Sequence, residues 1–176
     1  MDPDPFLDVA AIAQLGRNLG INGMMTMRWG WPIAEVFHFF GLCLLFGTVG
    51  LFDLRMLGVA RGVSLRALHR LIPFGLGGLA MSVTTGLLFV MTTPDQYLHN
   101  PALLTKFALM LVAGFNMVLF YLIAARGTWL TGPDDLPPVP ARIFGAISLA
   151  CWVGVMTCGR VITVFRPPAF YWCPWC

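Results

Sequence analysis

The sequence contains little charge, which limits the functions that it can serve. Only 11% of its residues are charged, whereas proteins on average carry about 25%. Lysine is nearly missing, since Lys106 is the only one among eleven basic residues. The net charge of +3 and the lack of a long basic patch argue against nucleic-acid binding. The sequence also lacks the nucleophile and base of a hydrolase and any nucleotide-binding motif. Its acidic start, MDPDPF, predicts no secretory signal peptide.

Apolar residues are abundant instead, at 58% of the chain, and the mean hydropathy is +0.78. This composition predicts an integral membrane protein. A membrane helix needs about 20 apolar residues, and four runs are long enough. They cover 33–52, 71–92, 102–124 and 143–165. Because the connections are short, we expect an all-α, up-down bundle of four transmembrane helices in which neighbours are antiparallel.

The segments that flank the bundle have a different character. Residues 1–30 predict a short amphipathic helix at the membrane interface, with Asp4 as its N-cap. Residues 31–166 form the bundle, and 167–176 form an aromatic tail that contains cysteine.

Arginines are concentrated in two of the three connections, which predicts the orientation in the membrane. Six lie between the first and second runs or between the third and fourth: Arg55, Arg61, Arg66, Arg70, Arg126 and Arg142. Basic residues favour the cytoplasmic side. We therefore expect a bacterial inner-membrane protein with both termini in the periplasm.

Ionisable residues within membrane spans indicate a functional site. Glu35 and His38 lie early in the first run, Lys106 early in the third, and Arg160 near the end of the fourth. His99 precedes the third run. With antiparallel spans, all five lie in one layer near the periplasmic face. The alternative is that these residues only reach the interface from helix ends and neutralise one another.

One use of this layer is to bind a b-type heme, which needs one or two axial ligands. His38 is the first candidate, and His99 or Met91 is the second. Lys106 and Arg160 would face the heme propionates. Glu35 would balance the charge of these two cations or orient His38 through a hydrogen bond. Three phenylalanines would line the pocket: Phe37, Phe39 and Phe40.

A structural metal is the competing use, because Glu35, His38 and His99 offer mixed nitrogen and oxygen ligands for zinc or copper. A di-iron centre is excluded, since it needs four carboxylates and a second Glu-x-x-His motif. A second heme with two histidine ligands is also excluded, because His69 lies at the other face without a histidine partner. We expect Asp53 and Arg55 to form a local charge pair.

The five cysteines fall into two groups. Cys43, Cys151 and Cys158 lie within apolar runs and are interpreted as small packing residues. Cys173 and Cys176 form a C-x-x-C pair in the tail, which is compatible with a disulfide or with free thiols.

Several stretches carry a family resemblance, which covers about residues 33–165. They are "FHFFGLCLLFGTVGLFDLRMLG", "HRLIPFGLGGLAMSVTTGLLF", "YLHNPALLTKFALMLVAGFNMVLFY" and "ARIFGAISLACWVGVMTCGRVI". Together they resemble an uncharacterised family of bacterial four-helix inner-membrane proteins, which is distantly similar to copper-resistance D proteins and b561-type cytochromes. The cytochrome likeness implies a heme between helices.

These observations favour an electron-transfer subunit with one heme b over a stand-alone enzyme. It would work with other membrane subunits or as a homo-oligomer, and with a periplasmic redox partner. Two alternatives remain: an accessory subunit that binds no cofactor, and a protein that handles copper or another metal.

Overall fold

The structure, a computed structural model, describes residues 9–165. The described part of the chain is helical and contains no strand. The predictions for Asp4, Cys173 and Cys176 concern residues outside this range, as does the one for the tail, 167–176.

Four helices among the described residues are long and apolar enough to cross a bilayer, which confirms the predicted fold class. They are called spans 1 to 4 and comprise Gly30–Met56, Leu65–Thr92, Pro101–Thr128 and Val139–Phe165. We call the side where span 1 begins the His38 side and the side where it ends the Arg55 side.

Three spans change their helical form along their length. Span 1 contains a π-helical turn at Phe46–Gly50, and span 3 contains one at Phe120–Ala124. Span 4 ends in the 3-10 turn Ile162–Phe165. Span 2 consists of Leu65–His69 and Ile72–Thr92.

All four spans begin before the apolar runs that predicted them, and polar side chains cap two of them, spans 2 and 3. The Ser64 hydroxyl accepts a hydrogen bond from the Ala67 amide at 3.1 Å, so span 2 begins well before residue 71. The Asn100 side chain accepts one from the Ala102 amide at 3.1 Å and caps span 3. Hydropathy reports only the apolar stretch, whereas a cap decides where the helix begins.

Short helices surround the His38 side. They are Val9–Asn18, Ile21–Thr26 and Pro94–Tyr97. The first two pack against span 2, where Gly16 lies against the Met91 carbonyl. The predicted N-terminal helix is therefore present, and its place at a membrane interface remains a prediction.

The four spans are not equally close to one another. Span 1 packs along span 2, and span 3 packs along span 4. Span 1 also packs on span 4 through its Arg55-side end, Leu51–Met56. Within residues 9–165, the first part of span 1, Gly30–Leu45, makes few contacts with span 4, and spans 2 and 3 make few with each other. Cavities open at both of these gaps.

Candidate functional site

A cavity of about 630 Å³ opens between spans 1 and 4 on the His38 side. It exists because these spans separate as they leave their contact near the Arg55 side. Glu35, His38, Lys106 and Arg160 all line it. The structure thus brings together four of the six residues predicted for the site.

Aromatic and aliphatic side chains form most of the remaining wall. Trp31 and Phe89 both line the cavity, with their ring centroids 4.7 Å apart and their planes tilted by 41°. Phe39 lines the cavity, but Phe37 and Phe40 are not among the lining residues. Glu35 and Arg160 are exposed, while His38 and Lys106 are half-buried. Two exposed and two half-buried ionisable side chains thus lie among a mostly apolar lining.

The orientation of His38 follows from its hydrogen bond to span 2. Its Nδ1 lies 2.9 Å from the Thr85 hydroxyl oxygen. That hydroxyl donates its only proton to the Met81 carbonyl at 2.8 Å, so it accepts from His38. In the neutral imidazole, Nδ1 therefore carries the proton and Nε2 keeps a free lone pair. His38 can act as a ligand or acceptor through Nε2.

Of the two roles predicted for Glu35, orienting His38 belongs to Thr85 instead, and balancing the charge of the two cations stays a prediction. Glu35 is exposed and makes no hydrogen bond to His38, whereas Thr85 is buried and holds Nδ1. Ser82 also ties the two spans together, because its hydroxyl donates to the His38 backbone carbonyl at 3.0 Å. The role of Thr85 is not predictable from the sequence, because a threonine within an apolar run does not indicate which residue it bonds.

Lys106 reaches the cavity from span 3 and lies beside span 4. A Cβ atom placed on Gly159 would lie 3.8 Å from the Lys106 ammonium nitrogen, which is an ordinary van der Waals distance. A smaller cavity of about 90 Å³ lies between spans 2 and 3, and both His38 and Lys106 also line that one. These two side chains therefore stand between two cavities.

The structure does not bring Met91 and His99 to the His38 cavity. Neither residue lines it. The Met91 backbone packs against Gly16, and His99 is exposed just before span 3. Beside it, the buried Asn100 donates to the Ile162 carbonyl at 3.0 Å and fastens this connection to span 4. His38 is thus the one imidazole placed on the cavity.

Metal ligands are scarce in the described part of the chain. Within it, no group of three or more His, Cys, Asp or Glu side chains could hold a metal ion. Glu35, His38 and His99 therefore do not form a three-ligand set. Cys43, Cys151 and Cys158 are free thiols.

The expected charge pair between Asp53 and Arg55 is wrong. Arg55 is fully buried and binds backbone carbonyls of two connections. Its Nε donates a hydrogen bond to the Val63 carbonyl at 2.8 Å. One terminal nitrogen lies near three further carbonyl oxygens, of which that of Pro133 is the closest at 2.6 Å. Successive side chains on a helix point in different directions, so residues two apart do not face each other.

His69 occupies an aromatic cluster on the Arg55 side. Its Nε2 lies 2.8 Å from the Tyr121 hydroxyl, and its ring centroid is 4.7 Å from that of Trp129. The position agrees with the expectation that His69 lies away from the other two histidines.

Comparisons of the chain with protein-family models, curated proteins and solved structures find no match.

Proposed function

We propose that this integral membrane protein binds one b-type heme in the His38 cavity and relays electrons within a membrane complex. The observation that carries the proposal is His38, whose Nε2 is free because Thr85 binds Nδ1. Imidazole nitrogen is a common axial ligand of heme iron.

The cavity suits a flat, mostly apolar ligand with anionic groups. Its volume of about 630 Å³ lies within the range of about 300–1,000 Å³ that is usual for ligand pockets. His38 would hold the iron, and Trp31 and Phe39 would pack on the ring. Lys106 and Arg160 would bind the propionates, since cations form strong hydrogen bonds with carboxylates. The heme would supply one-electron chemistry, while the protein orients it and sets its electrostatics.

A heme at one side needs partners to move electrons further. The hydrocarbon core of a bilayer is about 30 Å thick, and His38 lies near one end of span 1. We propose that the protein exchanges electrons with a quinone or another membrane subunit, and with a periplasmic redox partner.

The reduced-minus-oxidised spectrum of the purified full chain tests the proposal. We expect a Soret band and α and β bands of a b-type heme, with about one heme per chain. His38→Gln should remove at least nine tenths of the bound heme. His69→Gln is the matched control, because His69 lies on the Arg55 side, and it should keep the wild-type spectrum.

Protein expressed with ample heme and purified without any Soret band would rule out the proposal, as would a His38→Gln variant that keeps its heme. A colourless protein that copurifies with other membrane subunits would favour the accessory role. His99→Gln separates the ligand sets: we expect unchanged heme content, since His99 does not line the cavity.

A further inference from the structure

A second site lies in the Arg55-side half of the bundle, away from the His38 cavity. A cavity of about 130 Å³ opens there among side chains from all four spans. Most of its wall is apolar, but Asp53, Asn116, Tyr121 and Ser148 also line it. Both π-helical turns contribute residues to it, and such turns are frequent at functional sites.

Asp53 is the unusual member of this set. It is 2% exposed, and its Oδ2 atom has no hydrogen-bond partner among residues 9–165. The Ser148 hydroxyl is close enough to interact with its carboxyl group. A buried carboxylate without a counter-charge is costly, so such a residue in a span marks an ion or proton site.

The nearest arginine in the chain does not supply the missing charge. The guanidinium of Arg55 is turned to the two Arg55-side connections, where it donates to backbone carbonyls. The ionisable residues that line the cavity are Asp53 and Tyr121, and the Tyr121 hydroxyl is bound to His69. No basic side chain of residues 9–165 lines this cavity, so the Asp53 carboxyl would be neutralised by a cation from outside the bundle, either a metal ion or a proton.

Oxygen atoms from three spans are available to hold that cation. The side-chain N–H of Asn116 donates a hydrogen bond to the Phe144 carbonyl at 3.0 Å, so its Oδ1 remains available as an acceptor for a cation. Asp53 adds its unpartnered Oδ2, and Ser148 adds a hydroxyl. All three side chains are buried. The set contains one negative charge, so it matches a single positive charge rather than a divalent ion.

We propose that Asp53, Asn116 and Ser148 bind one small monovalent cation, either Na⁺ or a proton on the carboxyl group. The cavity has room for water molecules, which would complete the shell of Na⁺. Bound there, the cation neutralises Asp53 and links spans 1, 3 and 4.

The test measures the melting temperature of the purified full chain in detergent, in NaCl and in choline chloride at equal ionic strength, from pH 5 to pH 9. A Na⁺ site raises the melting temperature in NaCl by about 2–4 °C, and more at high pH, where the proton competes less. A proton site gives no difference between the salts. It gives instead an infrared band of a protonated carboxyl group that persists well above the ordinary pKa of aspartate, which is about 4.

Asp53→Asn should abolish the Na⁺ effect or the carboxyl band, since it removes the charge and keeps the size. Asp134→Asn makes the same change at an exposed loop position and should behave like the wild type. Should Asp53→Asn fail to fold, Ser148→Ala should raise the NaCl concentration needed for half of the stabilisation by about tenfold, or weaken the carboxyl band.

A wild-type protein with equal melting temperatures in both salts and no carboxyl band would overturn the proposal. So would a folded Asp53→Asn variant that keeps either signal. Neither readout depends on a bound heme, so the result is independent of the function proposed above.

Discussion

At the scale of single residues, hydrogen bonds between spans set the direction of polar side chains. Thr85 sets the direction of the His38 imidazole, and Asn100 binds the end of span 4 through Ile162. In the apolar interior, a donor without an acceptor costs more free energy than a hydrogen bond gains. These pairs therefore determine which atom of each residue is left for a ligand.

Replacing Thr85 tests whether its hydroxyl sets the direction of the His38 imidazole. Thr85→Val removes the acceptor of the Nδ1 proton, and we expect it to lower the free energy of unfolding by about 1–3 kcal/mol. Thr84→Val is the matched control, because the exposed Thr84 hydroxyl binds only the Ala80 carbonyl of its own helix. Detergent-to-SDS titration of both variants measures the difference. Equal stability of the two would show that Thr85 does not hold the ring.

At the scale of elements, two glycines set the distance between spans 1 and 2. A Cβ atom on Gly78 would lie 2.5 Å from the Gly41 carbonyl oxygen and 2.8 Å from the Leu44 Cβ. On the same helix, a Cβ atom on Gly77 would meet nothing within 4 Å. Small residues let helix backbones approach closely in lipid, and this approach keeps Thr85 within reach of His38.

Substitution by alanine should therefore change the stability in opposite directions at two adjacent glycines of span 2, Gly77 and Gly78. Gly78→Ala forces the two spans apart and should destabilise the protein by about 1–3 kcal/mol. Gly77→Ala should be neutral or stabilise it by up to about 1 kcal/mol, because alanine favours the helix. The free energies of unfolding of the two variants, measured by titration with SDS, test this prediction. If Gly78→Ala proved as stable as Gly77→Ala, close packing at this position would be excluded.

At the scale of the whole molecule, Arg55 joins the two connections on its side of the bundle. Its guanidinium binds Val63 in one connection and Gly132, Pro133 and Asp135 in the other. A charged donor that is buried with several carbonyl partners contributes more than an exposed one. Arg55 thus holds together the ends of four helices, while the opposite side remains open at the His38 cavity.

Changing Arg55 to lysine keeps the charge but loses the planar set of donors. Lysine cannot reach carbonyls in both connections at once, so Arg55→Lys should cost about 3 kcal/mol of stability. Limited proteolysis should then cut residues 131–138 faster. Arg61→Lys, at an exposed position that contacts only the nearby Gly58 carbonyl, should change stability by less than about 0.5 kcal/mol. A stable, protease-resistant Arg55→Lys variant would argue against this role.

Part of the candidate site could be predicted from the sequence. Glu35, His38, Lys106 and Arg160 stand out because ionisable residues are rare in apolar runs, and antiparallel spans place them in one layer. The same reasoning placed His99 and Met91 there too, although neither lines the cavity. Depth along a span follows from residue number, but the direction of a side chain depends on how its helix is rotated against its neighbours.

The sequence by itself determined the class of the protein and the number of its spans. In lipid, backbone groups must be satisfied within the helix, so each apolar run forms one locally. Only the tertiary structure decided that His38 faces a cavity with its Nε2 free, that Asp53 lies in a cavity lined by no basic side chain of the described residues, and that Arg55 binds two connections. These features depend on contacts between residues far apart in the chain, such as Gly41 with Gly78 and His38 with Thr85.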